Sequence, residues 1–318
     1  MNKILFFVIC AVYCLLTGCA DENLYINNRL MMGTMVEVIS PEPKASEIVF
    51  QEIKRVEGLF SKYDSQSQIF RLNKYGESKV SAEVLYLLNE AGRFYKLSAG
   101  AFDITVGPLL KVWGFTDKKY RIPDSAQIKE ALALVGYEKI ILDEDNFVVK
   151  FEVPGMTLDL GGLAKGYAVD SAVRELKEAG VKSCLINAGG DIYCLGNKSG
   201  KPWRVGVRQP GSNRIREYVR LRDKAIATSG NYEQYFLNKN RRFSHIFDPR
   251  SGSPVNNGIS SVTVIADDCV SADALATSVF IMGDKAGCQL VSNFKGAQAK
   301  IIMGNLHIKC GNDAKRKR

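Results

Sequence analysis

The segment MTLDLGGLAKGYAVDSAVRELKEAGVKSCLINAGGDIYCLG, Met156 to Gly196, decides how the chain is read. MTLDL is rich in strand formers and is followed by a glycine-rich turn. From Tyr167 to Ala179 the apolar residues Val169, Ala172, Val173 and Leu176 recur at helical spacing. Asp170 and Arg174 stand at i, i+4 on the opposite side, and Gly180 supplies the stop. CLINAGGDIYCLG then returns to strand, so helix and strand alternate within 41 residues.

The same mixture extends outward. Leu30 to Ser40 predicts a strand stopped by Pro41 and Pro43. ASEIVFQEIKRVEGLF carries Ile48, Val49, Ile53, Val56 and Leu59 at helical spacing, and a second helix is expected from Ala82 to Leu97. Between them FSKYDSQSQIFRLN reads as a loop. GAFDITVGPLLKVWGF reads as strand, turn and short helix, and KIILD, FVVKF, WRVGVR and SSVTVIA as further strands. In WRVGVR, Trp203, Val205 and Val207 alternate with Arg204, Gly206 and Arg208. The fold expected is α+β, a single catalytic domain with mixed or antiparallel sheets and flanking helices.

With 318 residues, 46% hydrophobic and 24% charged, the chain can bury a real core. Lys3 and the apolar run Ile4 to Leu16 read as a secretory signal, too short for a retained span. Leu16-Thr17-Gly18-Cys19 resembles a bacterial lipobox, whose cysteine is acylated, which makes Cys19 the lipidation candidate; a plain signal with an incidental cysteine is the alternative. The expected organisation is a lipoprotein signal over 1–18, a lipidated N-terminus and linker over 19–29, a catalytic domain over 30–310 and a basic tail over 311–318. The location that follows is the cell envelope, anchored to a membrane and facing the periplasm.

Of eight cysteines, Cys184, Cys194, Cys269, Cys288 and Cys310 remain after the signal and Cys19 are set aside. Five cannot all pair and none forms a CxxC, so a core rather than bridges is expected to hold the fold, and a zinc site is not expected. The formal charge of +9 falls to +8 without Lys3, and half of that sits in Lys315 to Arg318. No basic stripe interleaved with aromatics is visible, so nucleic acid is not an expected partner.

Three places hold chemistry. Gly161 and Gly162 let an anion approach the backbone at a helix N-terminus, with Lys165 as a mobile positive charge; a plain glycine turn beside a solvated lysine reads equally well. In VSADALATSVFIMG, Ser271 is placed to cap a helix whose buried face holds Leu275, Val279 and Met282. Asp273 would sit in its first turn, where it either complements the helix dipole or joins Thr277, one turn on, at a hard cation. Of the two histidines, His245 lies in the turn-rich run RRFSHIFDPRSGSPV, where a functional role is expected, and His307 reads as structural.

Taken in series, MGTMVEV, FSKYDSQSQIFRLN, GAFDITVGPLLKVWGF, LDLGGLAKGYAVD, INAGGDIYCLG, WRVGVRQP, AIATSG, SHIFDPRSGSPV and SVTVIADDCVSADALATSVFIMG resemble the ApbE family, the FAD:protein FMN transferases. The resemblance implies a T-fold-like domain and a Mg2+-dependent transfer of FMN from FAD to a threonine hydroxyl of an exported flavoprotein acceptor, with release of AMP. It implies FAD contacts at Met32, Tyr63, Ala101, Phe102, Asp103, Asp159, Lys165 and Ile246. It implies a metal shell of the Gly162 carbonyl, Asp273 and Thr277, with an alanine more usual at Gly162. His245 is the expected proton acceptor, with Asp103 as competitor. A lipid-anchored FAD-binding protein and an FAD pyrophosphatase giving FMN and AMP are the alternative readings.

Overall fold

The computed structural model describes residues 23–311, so the signal, Cys19 and the tail from residue 312 lie outside the described residues. In chain order come β1 (Tyr25–Met31), β2 (Thr34–Ser40), α1 (Lys44–Phe60), α2 (Gln68–Tyr75), β3 (Glu77–Lys79), α3 (Ala82–Leu97), α4 (Gly107–Val112), α5 (Ser125–Ala133), β4 (Ile140–Asp143), β5 (Val148–Phe151) and α6 (Ala164–Glu178). There follow β6 (Cys184–Ala188), β7 (Asp191–Leu195), β8 (Trp203–Arg208), β9 (Ile215–Leu221), β10 (Lys224–Gly230), β11 (Tyr235–Asn238), β12 (Arg241–Ser244), β13 (Phe247–Asp248), β14 (Ser253–Pro254) and β15 (Ser261–Ala266). The described chain ends with α7 (Cys269–Met282), α8 (Asp284–Ser292), β16 (Gln298–Met303) and β17 (Leu306–Gly311).

Eight strands form one antiparallel sheet in the order β1-β2-β6-β7-β10-β15-β16-β17. Alternation along each strand gives the sheet two apolar faces. Val36, Ile186, Tyr193, Ala227 and Val264 point into the main core, which α1, α6 and α7 complete with Ile53, Leu176 and Leu275. Leu185, Cys194, Ile226 and Ile265 point the other way, where the β8–β9 hairpin covers them with Trp203, Val205, Val207 and Leu221. A satellite core of Leu109, Leu110, Trp113, Phe243 and Phe247 supports the segment that carries His245. The Trp113 indole N–H donates to the Gly252 carbonyl at 3.0 Å, tying α4 to that segment.

The α+β class and the helix over Ala82–Leu97 stand as expected, the latter opened by the Ser81 hydroxyl accepting from the Val84 amide. Several elements differ. Residues 25–29, read as linker, belong to β1, which pairs with β2 from Tyr25↔Ser40 to Met31↔Thr34. The expected single strand over Leu30–Ser40 is therefore a hairpin, closed by Met32 and Gly33 at φ 49° and 71°. β1 is an edge strand with most residues exposed, so its polar side chains look like those of a linker. The second half of FSKYDSQSQIFRLN is α2, nucleated by the Ser67 hydroxyl accepting from the Phe70 amide at 2.9 Å.

MTLDL is not a strand. The Asn73 side chain takes the place of a neighbouring strand by accepting from the Leu158 amide at 2.7 Å and donating to its carbonyl at 3.0 Å. Residues 100–106 also form turns rather than a strand. α7 starts two residues before the expected Ser271 cap, at Cys269, with Asp268 as its cap, so Asp273 lies in the second turn. It is buried nearly all round, between the sheet, α6 and α8, which erases the one-sided pattern expected of it. One disulfide forms, Cys288–Cys310, joining α8 to β17 with Cα atoms 5.2 Å apart, while Cys184, Cys194 and Cys269 are free and buried. The bridge adds to the core that was expected to act without one; its partners are 22 residues apart, a spacing that carries no motif.

Candidate active site

Two helices meet at the site because Gly166 lets them. A Cβ at Gly166 would lie 2.5 Å from the Cys269 carbonyl oxygen, so any larger residue would push α6 off the start of α7. The contact brings Lys165, near the start of α6, to Asp273 of α7: the ammonium is 3.7 Å from Asp273 Oδ2. Asp191, the first residue of β7, forms a close ion pair with the same ammonium. Burial alone would lower Lys165, but Asp191 and then Asp273 outweigh it and hold its pKa well above the ordinary lysine value. Asp273 is 5% exposed, and burial followed by the Asp191 charge raises its carboxyl despite Lys165.

Oδ2 of Asp273 is buried without a hydrogen-bond partner. Such an atom is costly unless something else engages it. Thr277, one turn along α7, places Oγ1 3.1 Å from the Ser229 hydroxyl of β10. Gly162 faces this threonine: a Cβ there would lie 3.2 Å from Thr277 Oγ1 and 3.3 Å from Phe102 Cε2. An alanine would therefore fit tightly at Gly162. One orphaned carboxylate oxygen, a hydroxyl and a nearby backbone suit magnesium, which takes one or two carboxylates and fills its shell with neutral oxygens, water and phosphate. Among the described residues no group of three or more His, Cys, Asp or Glu is placed to hold a metal.

A second ionic pair flanks the glycine loop. Asp159 pairs with Lys62, and its Oδ1 accepts from the Gly161 amide at 2.8 Å, shaping the turn ahead of α6. Burial would lower Lys62, yet Asp159 raises it above the ordinary value. The start of α6 has no side-chain cap; the Leu163 and Ala164 amides donate to the Leu160 carbonyl at 3.0 and 2.8 Å, so the amides that could meet an anion there are those of Lys165 and Gly166.

His245 is fixed by the Gln234 carbonyl, 3.1 Å from Nδ1. A carbonyl only accepts, so Nδ1 carries the proton and Nε2 is left to receive one. Burial and the Lys165 charge lower its pKa, against the Gln234 bond and Asp159. Ile246, next in sequence, is buried and its carbonyl accepts from the Val255 amide.

The remaining expected residues are more dispersed. Phe102 reaches the Gly162–Thr277 contact, and Ala101 beside it is fully buried. Met32 sits in the β1–β2 turn with its amide donating to Glu57 at 2.8 Å. Tyr63 is 70% exposed, with the Lys62 ammonium 5.1 Å from its ring centre. Asp103 is engaged by Thr105, whose amide and hydroxyl donate to Oδ1 at 2.8 and 2.6 Å. Burial raises Asp103 to about 6, and it lines a cavity of about 370 Å³ with Tyr95, Glu138 and Arg250 rather than meeting the Lys165 cluster. Asp191, Lys62 and Ser229 were not singled out from sequence. All three lie in motifs that are quoted there, INAGGDIYCLG, FSKYDSQSQIFRLN and AIATSG, and a carboxylate after a double glycine is the available signal for Asp191.

A helix N-terminus without a side-chain cap beside a half-buried lysine and an orphaned carboxylate, on an antiparallel α+β scaffold, is chemically suited to a phosphate-bearing ligand. The chain belongs to the ApbE family, whose sequence pattern matches residues 32–302. It is 32% identical to a FAD:protein FMN transferase of Klebsiella pneumoniae over 296 residues, covering 91% of this chain and 92% of that protein. It is 34% identical to the FAD:protein FMN transferase of Vibrio cholerae, covering 86% of each. The crystal structure of the ApbE protein of Thermotoga maritima superposes with a TM-score of 0.85 at 35% identity, over 93% of this chain and all of that one. The flavin transferase ApbE of Vibrio cholerae superposes with a TM-score of 0.80 at 28% identity, over 91% of this chain and 97% of that one.

Proposed function

We propose that this chain transfers FMN from FAD to a threonine hydroxyl of an exported acceptor protein, releasing AMP, with Mg2+ held by Asp273, Thr277 and the Gly162 carbonyl. The observation that carries the reading is the orphaned Oδ2 of Asp273, 3.7 Å from Lys165, beside a helix start that has no side-chain cap. Relatives named for FMN transfer from FAD support it. Magnesium, when bound, supplies positive charge to the phosphoryl oxygens as the pyrophosphate bond breaks.

The chain's own groups do the rest. Lys165, kept charged by Asp191, offsets charge developing on the phosphate chain. The α6 amides bind and orient phosphate, and Asp159, with Lys62 and Phe102, lines the approach. His245 takes the proton of the attacking hydroxyl at Nε2. Asp103, occupied by Thr105, is the less available base. Cys19, acylated after signal removal, anchors the domain to a membrane of the cell envelope, facing the periplasm. Among the described residues no helix is long and apolar enough to cross a membrane.

The test mixes the protein with FAD, Mg2+ and a threonine-bearing flavoprotein acceptor and reads intact mass and nucleotides together. One FMN gained per acceptor as AMP appears, both stopped by chelator, is the expected result. Free FMN with AMP would make the protein a pyrophosphatase, and intact bound FAD a binding protein.

A further inference from the structure

The β8–β9 hairpin presents an outer face that the site does not use. Its inner face is apolar, but Arg204, Arg208, Tyr218 and Arg220 are turned out and exposed. Arg204 lies directly across from Arg220, and like charges so placed destabilise a strand pair. Among the described residues no carboxylate forms an ion pair with Arg204 or Arg220, whereas Arg208, at the end of β8, acts on Glu233, which also feels Lys165; the one carboxylate on β9, Glu217, pairs with Lys300 of β16. The Arg204 guanidinium stacks 3.8 Å from the Tyr218 ring centre, and Tyr218 and Ile215 are 54% and 44% exposed. Ile215 pairs with Arg208, and its side chain lies over Gly206, where a Cβ would come within 2.8 Å of it. A surface with unbalanced arginines around an exposed tyrosine and isoleucine fits the boundary between lipid headgroups and acyl chains.

The chain's own path points to the same surface. Leu24 packs into the apolar cluster under this hairpin, and Cys19 is five positions earlier. Five residues span at most about 17 Å when fully extended, so an acyl group on Cys19 starts within reach of the hairpin.

We propose that the outer face of β8–β9 lies against an anionic phospholipid surface, with Arg204 and Arg220 at the headgroup phosphates and Tyr218 and Ile215 beside them. The proposal rests on the reading of Cys19 as a lipid anchor, to which the basic face adds a second, electrostatic attachment. It also sets an orientation: the hairpin covers the sheet face opposite α6 and α7, so Lys165 and Asp273 point away from the lipid, toward an acceptor.

The test uses the chain from Ala20, which keeps every residue of the fold; the Thermotoga relative, matched over its entire solved chain, is the same domain standing alone. Binding is measured by co-sedimentation with vesicles of phosphatidylcholine alone or mixed with phosphatidylglycerol, without FAD or acceptor. Binding to the anionic vesicles alone, weakening as salt rises, is expected. Arg204→Gln/Arg220→Gln should weaken it about 25-fold, at about fivefold per arginine, with transfer to a soluble acceptor unchanged. Its melting temperature should not fall, because a repulsive pair has been removed. Equal binding to both vesicle types, insensitivity to salt, or wild-type binding by the double variant would overturn the proposal, as would loss of acceptor binding in that variant with vesicle binding intact. The mass of the membrane-extracted protein reports Cys19 acylation separately, so loss of the anchor, of transfer and of the basic surface are three distinguishable results.

Discussion

Asp170 of α6 accepts hydrogen bonds from the Cys269 and Val270 amides, each at 2.8 Å, and so locks the helix that carries Lys165 to the start of the helix that carries Asp273 and Thr277. The aspartate is half-buried, and the desolvation that this brings lifts its pKa to about 7 against these two bonds. A folded-state pKa above the ordinary 3.8 means that this group favours folding most at low pH and that the contribution fades as pH rises toward about 7. Asp170→Asn keeps the shape but turns one acceptor into a donor facing an N–H. It should lose about 1–3 kcal/mol of stability at pH 5 and show a flatter stability profile between pH 4 and 7, measured by urea unfolding. An unchanged profile would mean that Asp170 does not titrate in this range.

The Lys165–Asp191 pair predicts a separation between binding and metal effects. Lys165→Ala should weaken FAD binding by removing the charge nearest the phosphates, while Asp273→Ala should abolish transfer at limiting Mg2+ by removing the orphaned oxygen. Asp191→Asn leaves Lys165 and Asp273 in place but removes the carboxylate that orients the ammonium. Its transfer rate should fall by about 10- to 100-fold with smaller loss of FAD affinity, read by single-turnover kinetics and equilibrium titration. Full activity in Asp273→Ala at limiting Mg2+ would remove that residue from the metal site.

Lys62 predicts a contribution to FAD capture. Its pairing with Asp159 positions both beside the glycine loop, so Lys62→Ala should raise the KM for FAD more than it lowers kcat, and Lys62→Arg should restore part of the loss. A kcat defect with unchanged KM would place Lys62 in the chemical step instead.

The limits of sequence reading follow from where the information lay. Lys165, Asp273 and Thr277 were legible because one helix start and one i, i+4 spacing are local features, and the structure brings them together. Asp191 and Lys62 were not, because each acts through a partner 26 or 97 residues away. The MTLDL segment shows a related failure: its residues favour a strand, but the Asn73 amide satisfies Leu158 from outside any sheet. Residues 25–29 of β1 read as linker because an edge strand buries little and needs no apolar face. The basic hairpin face was invisible along the chain, since Arg204 and Arg220 become neighbours only when β8 and β9 pair.

The disulfide predicts redox-sensitive stability without a direct effect on the site. Cys288–Cys310 closes a stretch of 22 residues between α8 and β17, and a loop of that length is worth about 3 kcal/mol in the chain-entropy account. Reduction, or Cys288→Ser with Cys310→Ser, should lower the denaturant midpoint by a matching amount while the KM for FAD stays unchanged. A large KM change would show that α8 transmits strain to α7, against which it packs.

His245 gives the sharpest kinetic prediction. The Gln234 carbonyl sets the proton on Nδ1, and burial with the Lys165 charge lowers the ring's pKa below the ordinary 6.5. A base must be unprotonated to act, so the acid limb of kcat/KM should fall below pH 6.5, and the enzyme should already be in its active form at neutral pH. In His245→Ala that limb should disappear and the single-turnover rate should drop by about 100-fold or more, with FAD binding less affected because the ring is no member of the Lys165–Asp191–Asp273 ion-pair cluster. The same acid limb in His245→Ala, together with an unchanged rate, would transfer the role of base to Asp103, whose carboxyl is raised to about 6 and would then have to leave Thr105 to reach the hydroxyl.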